Sequence, residues 1–325
     1  DAAAFLNKIY CNGFAKLDVG KTRYGLMLRE DGIAMDDGTA ARLAEDHFVV
    51  TTTTANAVSV YRHMEFARQV LWPDMDVQLI STTESWAQYA VAGPNARNLL
   101  RKIVDAEFDI SNEAFPFMAC GAITVCDGLR ARLFRISFSG ELAYEIAVPT
   151  RYGDAMIRAL IEAGEEFGGC AYGTEALGVM RIEKGHATGN ELNGTTTALN
   201  LGMGHMVSTQ KDSIGSVLSR RDGLTGDDAL KLVGFKPCRT SDPVPAGSHL
   251  MTKGSPIDAK HDQGYVTSTC YSPTLGHHIA IGFLKSGNQR LGEIVRLVSP
   301  LTNIEHDVEV VSSHFVDPDG DKLRA

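Results

Sequence analysis

The sequence has no apolar run long enough to cross a membrane, and its acidic residues outnumber its basic ones. A membrane-spanning helix needs about 18 or more consecutive apolar residues, and no stretch approaches this length. The first residues, DAAAFLNKI, also lack the basic start and long apolar stretch of a signal peptide. The net charge of -9 argues against nucleic acid as the main partner, because phosphate binding relies on clustered basic side chains. We therefore expect a soluble cytoplasmic protein that binds neither membranes nor nucleic acids.

Common metal, redox and nucleotide motifs are absent as well. The cysteines form no C-x-x-C pair, and they are expected to be free thiols of a reducing compartment. The adjacent histidines His277 and His278 would point to opposite faces of a strand, so we expect no metal site. Neither the G-x-G-x-x-G fingerprint nor a P-loop occurs, which argues against a dinucleotide or nucleoside triphosphate site in this region.

The apolar periodicity predicts an α+β fold with a separate all-β domain at its C-terminal end. Helix, strand pair, strand, helix and strand occur twice in the first two hundred residues, which indicates two similar α+β halves that face each other. Residues 77–82 are predicted as a strand and residues 211–218 as a helix. A Gly- and Asp-rich linker at 220–228 separates this domain, residues 1–219, from residues 220–325, where short strands between Pro- and Gly-rich turns predict a small barrel.

Glu145 interrupts an apolar strand pattern. It lies between Tyr144 and Ile146, near the middle of the second of two predicted strands that flank the turn Ser139-Gly140-Glu141. Burying an unpaired carboxylate costs several kcal/mol, so donors must meet it. They can come from an arginine within the fold, or from a ligand such as an amidine-like heterocycle that offers two N–H groups at once.

Asp36 and Asp37 form a second acidic feature. They follow a predicted hairpin whose return strand is 33–35, and we expect them at its end, where side chains can face a cleft. A plain turn is the alternative interpretation of Asp36-Asp37-Gly38.

Several segments resemble the glycine-cleavage T-protein (aminomethyltransferase) superfamily. FSGELAYEI resembles its YTGEDGFEI-type segment, MRIEKG its LRLEAG segment, and YAVAGPNA its ALQGPKA segment. The stretches GKTRYGLMLREDGIAMDD and GYVTSTCYSPTLGHHIAIGFL match in the same order, so the resemblance covers essentially the whole chain. The family's N-terminal segment is missing, which together with the start at Asp1 suggests a fragment of a longer polypeptide.

Within the superfamily, MDDGTAARLAEDHFVVTTTTANA and IEKG look most like the C-terminal region of the α subunit of heterotetrameric sarcosine oxidase. The resemblance implies a tetrahydrofolate-binding region that captures the methyl-derived carbon of sarcosine as 5,10-methylenetetrahydrofolate. It further implies that FAD, FMN and NAD belong to other parts of the complex, and that the partners are a reduced folate and the other sarcosine oxidase subunits.

The family's functional residues can be carried over position by position. Asp37 matches the aspartate that orients or deprotonates the folate amine, and Glu145 matches the glutamate that holds the pterin ring. Tyr24 and Phe48 match positions that line the pterin and benzoyl groups, although each is otherwise an ordinary core aromatic. His186 falls where relatives carry a tyrosine near the folate, with a loop histidine without ligand contact as the alternative.

The chain departs from the family in two places near the expected ligand. Phe138 stands where relatives often have a tyrosine, and Leu177 stands where they have an arginine that binds folate. Arg181 is predicted to substitute for that arginine in ligand binding. The alternative is that Arg181 is the internal partner of Glu145 or Glu183.

Two other functions fit parts of the pattern. A free-standing aminomethyltransferase or folate-dependent demethylase would share the same residues. A folate-binding assembly factor for iron–sulfur proteins has a K-G-C-Y-x-G-Q-E segment where this chain reads KGHATGNE, so His186 replaces the cysteine on which that role depends.

Overall fold

A computed structural model describes all 325 residues and confirms the predicted α+β fold with a C-terminal barrel. No helix in it has the length and apolar character required to cross a membrane. The helices are α1 (Ala2–Ile9), α2 (Ala57–Phe66), α3 (Ala96–Leu100), α4 (Gly153–Gly164), α5 (Thr174–Lys184), α6 (Asp222–Thr225) and α7 (Asp321–Arg324). The strands are β1 (Lys21–Leu28), β2 (Ala34–Arg42), β3 (Phe48–Val50), β4 (Trp86–Ala92), β5 (Cys120–Val125), β6 (Leu129–Phe134), β7 (Ala143–Pro149), β8 (Leu230–Pro237), β9 (His249–Met251), β10 (Asp262–Ser272), β11 (His277–Lys285), β12 (Ile294–Ser299) and β13 (Ile304–Val311).

Each α+β half consists of one antiparallel sheet with helices on one face. The first sheet has the order β1-β2-β3, and its core face packs against α1 and α2 through Phe5, Tyr10 and Met64. The second sheet has the order β4-β7-β6-β5, and its core face packs against α3 and α4 through Leu100 and Met156. Both helix layers bury their apolar residues on the side of the sheet that faces away from the other half.

The two sheets meet through their other faces. Ala41 on β2 contacts Phe134 and Ala147 of the second sheet in one apolar cluster. Ala41 and Asp37 lie on the same face of β2, because they are an even number of residues apart. Ala147 and Glu145 share a face of β7 for the same reason. Asp37 and Glu145 therefore project from the facing sides of two different sheets.

The C-terminal strands close into a six-stranded barrel with the order β10-β11-β8-β13-β12-β9. Helix α5 lies against this barrel, where Glu183 accepts a hydrogen bond from Ser272 at 2.5 Å and one from Thr274 at 3.1 Å. The barrel is thereby attached to the end of the α+β domain that carries α5.

The segment after the barrel, residues 312–325, returns to the α+β domain. The backbone N–H groups of Phe315 and Val316 each donate to the Glu183 carbonyl oxygen at 2.9 Å. The buried Lys184 ammonium lies 2.9 Å from the Asp317 carboxylate. The same segment also packs on the barrel, where Phe315 lies against Gly234 of β8.

Three local predictions were wrong. Residues 77–82 form no strand, and residues 211–218 form turns instead of an α-helix. Asp36 and Asp37 do not follow a hairpin strand, since both lie inside β2, which pairs with β1 along its length. In each case tertiary contacts outweighed the local pattern of apolar and turn-forming residues.

Candidate functional site

Asp37 lies on β2 opposite Leu26 of β1 and is half-buried. The Tyr24 hydroxyl donates a 2.7 Å hydrogen bond to Asp37 Oδ2, and Tyr24 also contacts Met203 Sδ at 3.7 Å. Burial raises the pKa of Asp37 above its usual 3.8, the Tyr24 hydrogen bond opposes this, and the charge of Asp36 adds to it. The structure thus brings two of the predicted residues, Asp37 and Tyr24, into direct contact.

Asp36 points to the opposite face of β2 and is only 1% exposed. Its carboxylate accepts hydrogen bonds from the Thr53 N–H at 3.2 Å and the Asn56 amide at 3.0 Å. Burial raises its pKa, and no cation compensates. Asp36 is therefore a buried carboxylate behind the sheet, while Asp37 is the one that faces the other half.

Gly38 shows why the residue after Asp37 has no side chain. A Cβ atom at this position would lie 2.1 Å from the Thr51 carbonyl oxygen, so the backbone of the neighbouring segment occupies that space. Thr51 also accepts and donates hydrogen bonds with Thr39 on β2. This close backbone approach fixes β2 immediately beside Asp37.

Glu145 lies on β7, between Ala90 of β4 and Phe134 of β6. No arginine or lysine pairs with it, and its carboxylate Oε2 accepts a hydrogen bond only from the amide of Gln88. Burial raises the pKa of Glu145, and the Gln88 hydrogen bond opposes the shift. Glu145 therefore pairs neither with Arg181 nor with any other arginine of the fold, because no cation lies beside this carboxylate.

The contacts of Arg181 lie within the protein. It forms a buried ion pair with Glu191 at 3.2 Å and donates further hydrogen bonds to the His186 carbonyl oxygen and to Ser268 Oγ. Its partner is thus neither Glu145 nor Glu183, and its donors are engaged within the protein. The placement gives no support to Arg181 as a substitute for the family's folate-binding arginine.

Glu191 is fully buried beside Arg181. We expect Glu191→Ala to lower the free energy of unfolding by about 3–5 kcal/mol, because it leaves the Arg181 charge buried and unpaired. Urea unfolding followed by circular dichroism measures the loss. Glu305→Ala is the matched control, since it breaks a 2.6 Å ion pair with Arg296 in which the Glu305 side chain is 50% exposed. We expect this variant to lose at most about 1 kcal/mol of unfolding free energy. Equal losses in the two variants would contradict the assignment.

His186 follows α5 directly and stacks on Phe138, with ring centroids 5.7 Å apart. Its Nδ1 lies 3.0 Å from the Phe138 carbonyl oxygen, which can only accept, so Nδ1 carries the hydrogen. Burial lowers the pKa of His186, which favours the neutral ring. Phe138 remains 40% exposed, so the pair presents an aromatic surface at the end of the Ser139–Glu141 turn.

Phe48 is not brought to the other predicted residues. It lies on β3, pairs with Arg42 of β2, and packs against the core of the first half, on the face opposite Asp37. The Arg42 guanidinium lies over its ring, 5.3 Å from the centroid. The side-chain alternation of the strand places it among the core aromatics, which was the alternative interpretation.

Two residues near Glu145 were missed by sequence reasoning. Gln88 contacts Glu145 directly, and the half-exposed Tyr172 is close enough for the Glu145 charge to raise its pKa further, after the larger effect of burial. No motif marks either residue. Gln88 becomes visible only from the register of β4 with β7, which sequence alone does not specify.

The overall fold matches that of a solved aminomethyltransferase. The structure matches the crystal structure of the glycine cleavage system aminomethyltransferase T from Bartonella henselae with a TM-score of 0.81, covering 97% of this chain and 81% of that one. The two share 23% identity, so the match shows the fold alone.

Two family profiles match the sequence and identify the family of this chain. The GCVT N-terminal domain profile matches residues 1–211, and the profile of the glycine cleavage T-protein C-terminal barrel domain matches residues 231–317. The chain therefore belongs to the glycine cleavage T-protein family, as its motifs predicted. The predicted domain boundary at 219/220 falls between the two matches and stays a prediction.

Curated relatives fall into two groups. The chain is 50% identical to sarcosine oxidase subunit alpha of Rhizobium meliloti (strain 1021) over 99% of its own length, but it spans only 33% of that relative. It is 30% identical to an aminomethyltransferase of Geobacillus sp. (strain WCH70), covering 88% of this chain and 75% of that protein.

Proposed function

We propose that this chain binds tetrahydrofolate and captures a one-carbon unit on it, as the folate-binding region of a sarcosine oxidase α subunit. The observation that carries the proposal is Glu145, a desolvated carboxylate that no cation of the fold neutralises, on a sheet that faces Asp37. The 50% identity to a sarcosine oxidase α subunit supports the choice within the family.

The residues present fit a reduced folate. The Gln88 hydrogen bond occupies Glu145 Oε2, while no protein donor contacts the other oxygen. The pyrimidine part of a pterin carries a ring N–H beside an exocyclic amino group, and these are the donors that a carboxylate accepts best. When bound, tetrahydrofolate supplies the nitrogens that receive the one-carbon unit.

Asp37 is the proposed general base. Tyr24 holds Oδ2, which leaves Oδ1 to accept a proton from an amine in the cleft. Because burial raises the pKa of Asp37 above that of an exposed aspartate, its carboxylate is the better proton acceptor. Tyr24 acts through Asp37 by fixing the direction of the carboxylate, and the Phe138–His186 surface is proposed as an aromatic wall for the ligand.

The remainder of the activity is proposed for the whole protein. Because the chain spans about a third of its sarcosine oxidase relatives, oxidation of sarcosine with FAD, FMN and NAD is assigned to other parts of a cytoplasmic, heterotetrameric complex. The other subunits are then the protein partners.

The test combines binding and product analysis. Calorimetry of this chain should show one tetrahydrofolate bound per chain. A sarcosine oxidase complex that carries this chain should release less formaldehyde and form 5,10-methylenetetrahydrofolate when tetrahydrofolate is added. Unchanged formaldehyde release and no heat of binding would contradict the proposal.

A free-standing aminomethyltransferase is the second candidate. It is favoured by the Geobacillus aminomethyltransferase, because the match covers 75% of that protein. The same complex separates the two functions. Folate-dependent product that forms only when sarcosine is oxidised in the complex supports the first function, and product formed by this chain alone from an aminomethyl donor supports the second.

A further inference from the structure

Gln88 is the only protein group that hydrogen-bonds to the Glu145 carboxylate, and nothing in the family motifs marks it. It lies on β4, the edge strand of its sheet, and it is exposed. In the register of β4 with β7, Gln88 is opposite Ala147 and Ala90 is opposite Glu145, so the amide reaches Glu145 diagonally on one face.

The neighbours of Glu145 on this face are apolar and mostly small. They are Ala143 and Ala147 along β7, Ala90 on β4 and Phe134 on β6, and none of them can donate a hydrogen bond from its side chain to the carboxylate. The charged group on the same face is Arg132, whose guanidinium is turned onto the Trp86 ring, 3.9 Å from the centroid. Gln88 therefore donates to the carboxylate at a position where a cation would be expected and none is present.

We propose that Gln88 is the positioning residue of the ligand-binding carboxylate: it holds Glu145 Oε2 by its amide N–H and leaves Oε1 directed at the N–H donors of the ligand. An amide suits this function better than a lysine or arginine would, because it orients the carboxylate without neutralising it. Glu145 thereby keeps its negative charge for the ligand. This inference rests on the proposed folate function only for the identity of the ligand.

The contact has a direct consequence for protonation. A hydrogen bond to the ionised form stabilises that form, so Gln88 opposes the effect of burial on the pKa of Glu145. The titratable and charged groups that face Glu145 are Tyr172, from the loop before α5, and Arg132 on β6. Neither is removed by a change at position 88, so the effect of Gln88 can be measured by itself.

The first experiment uses the protein without ligand. We expect Gln88→Leu to raise the pKa of Glu145, read from the 13C shift of its side-chain carboxyl in an NMR titration, with the Glu145→Gln spectrum as the assignment. Gln69→Leu is the matched control, because it removes a Gln–Glu hydrogen bond of the same type, to Glu65 on α2, which is far from Glu145 in the fold. An unchanged Glu145 titration in Gln88→Leu overturns the inference.

The second experiment measures tetrahydrofolate affinity by calorimetry between pH 6 and 8.5. At pH values below the Glu145 pKa that the NMR titration gives for Gln88→Leu, we expect this variant to bind at least tenfold more weakly than wild type. The difference in affinity should narrow above that pKa, because Glu145 is then ionised. A gap that stays constant with pH overturns a role through Glu145. If the NMR shift occurs and wild-type chain binds no folate, the proposed function fails while the Gln88 contact stands.

Discussion

Replacing Asp37 with alanine is expected to lower the rate of 5,10-methylenetetrahydrofolate formation by about 10²- to 10⁴-fold, the usual contribution of a positioned general base. Folate affinity should stay within about threefold of wild type, corresponding to less than about 1 kcal/mol. The reason is geometric, since Asp37 lies on β2 with Tyr24 and belongs to a different sheet from Glu145.

The measurement is product partition in the sarcosine oxidase complex that carries the variant chain, with calorimetry for tetrahydrofolate. Asp18→Ala is the control, because Asp18 is an exposed aspartate of the same half that precedes β1 and makes no side-chain hydrogen bond. Formaldehyde should replace the folate product in Asp37→Ala and not in Asp18→Ala. Undiminished folate product in Asp37→Ala would remove Asp37 from the catalytic machinery.

Glu145→Gln is expected to weaken tetrahydrofolate binding by about 1.5–3 kcal/mol, the value of a charge-assisted hydrogen bond, or about 10- to 150-fold in Kd. The substitution keeps the shape of the side chain but replaces one acceptor oxygen by a donor that meets the donors of the ligand. The rate at saturating folate should change far less than it does in Asp37→Ala, because the proposed function assigns Glu145 to ligand binding and Asp37 to proton transfer.

Calorimetry at fixed pH decides this prediction, with Glu141→Gln as the control. Glu141 lies in the adjacent turn and pairs with Lys322 at 2.7 Å on the surface, so its change should leave the affinity unaffected. If Glu145→Gln bound tetrahydrofolate as tightly as wild type, the uncompensated carboxylate would need another explanation, because the fold offers it no internal arginine.

The two predictions together separate binding from chemistry. Asp37 and Glu145 project from separate sheets, which are joined by an apolar cluster that neither of them enters. Each variant should therefore affect one property, and their effects on the free energy should add, as expected for residues without shared partners.

The sequence could predict those features that depend on local pattern and on family motifs. Alternation of apolar residues located most strands of the barrel, and the polar interruption of one apolar strand marked Glu145 as a carboxylate that requires donors. The same kind of pattern could not decide between strand and loop at 77–82, where apolar residues pack against the first half without pairing in a sheet.

What the sequence by itself determined is the family, the barrel and the presence of two acidic features that require partners. Only the tertiary structure decided which residues are their partners. Gln88 reaches Glu145 across 57 positions of the chain, Arg181 turns to Glu191 and the barrel, and Phe48 faces the core instead of the cleft. The physical reason is that strand register and sheet packing, which set these contacts, depend on long-range interactions that no local pattern encodes. The same packing leaves Glu145 without a cation and with Gln88 as its hydrogen-bond donor.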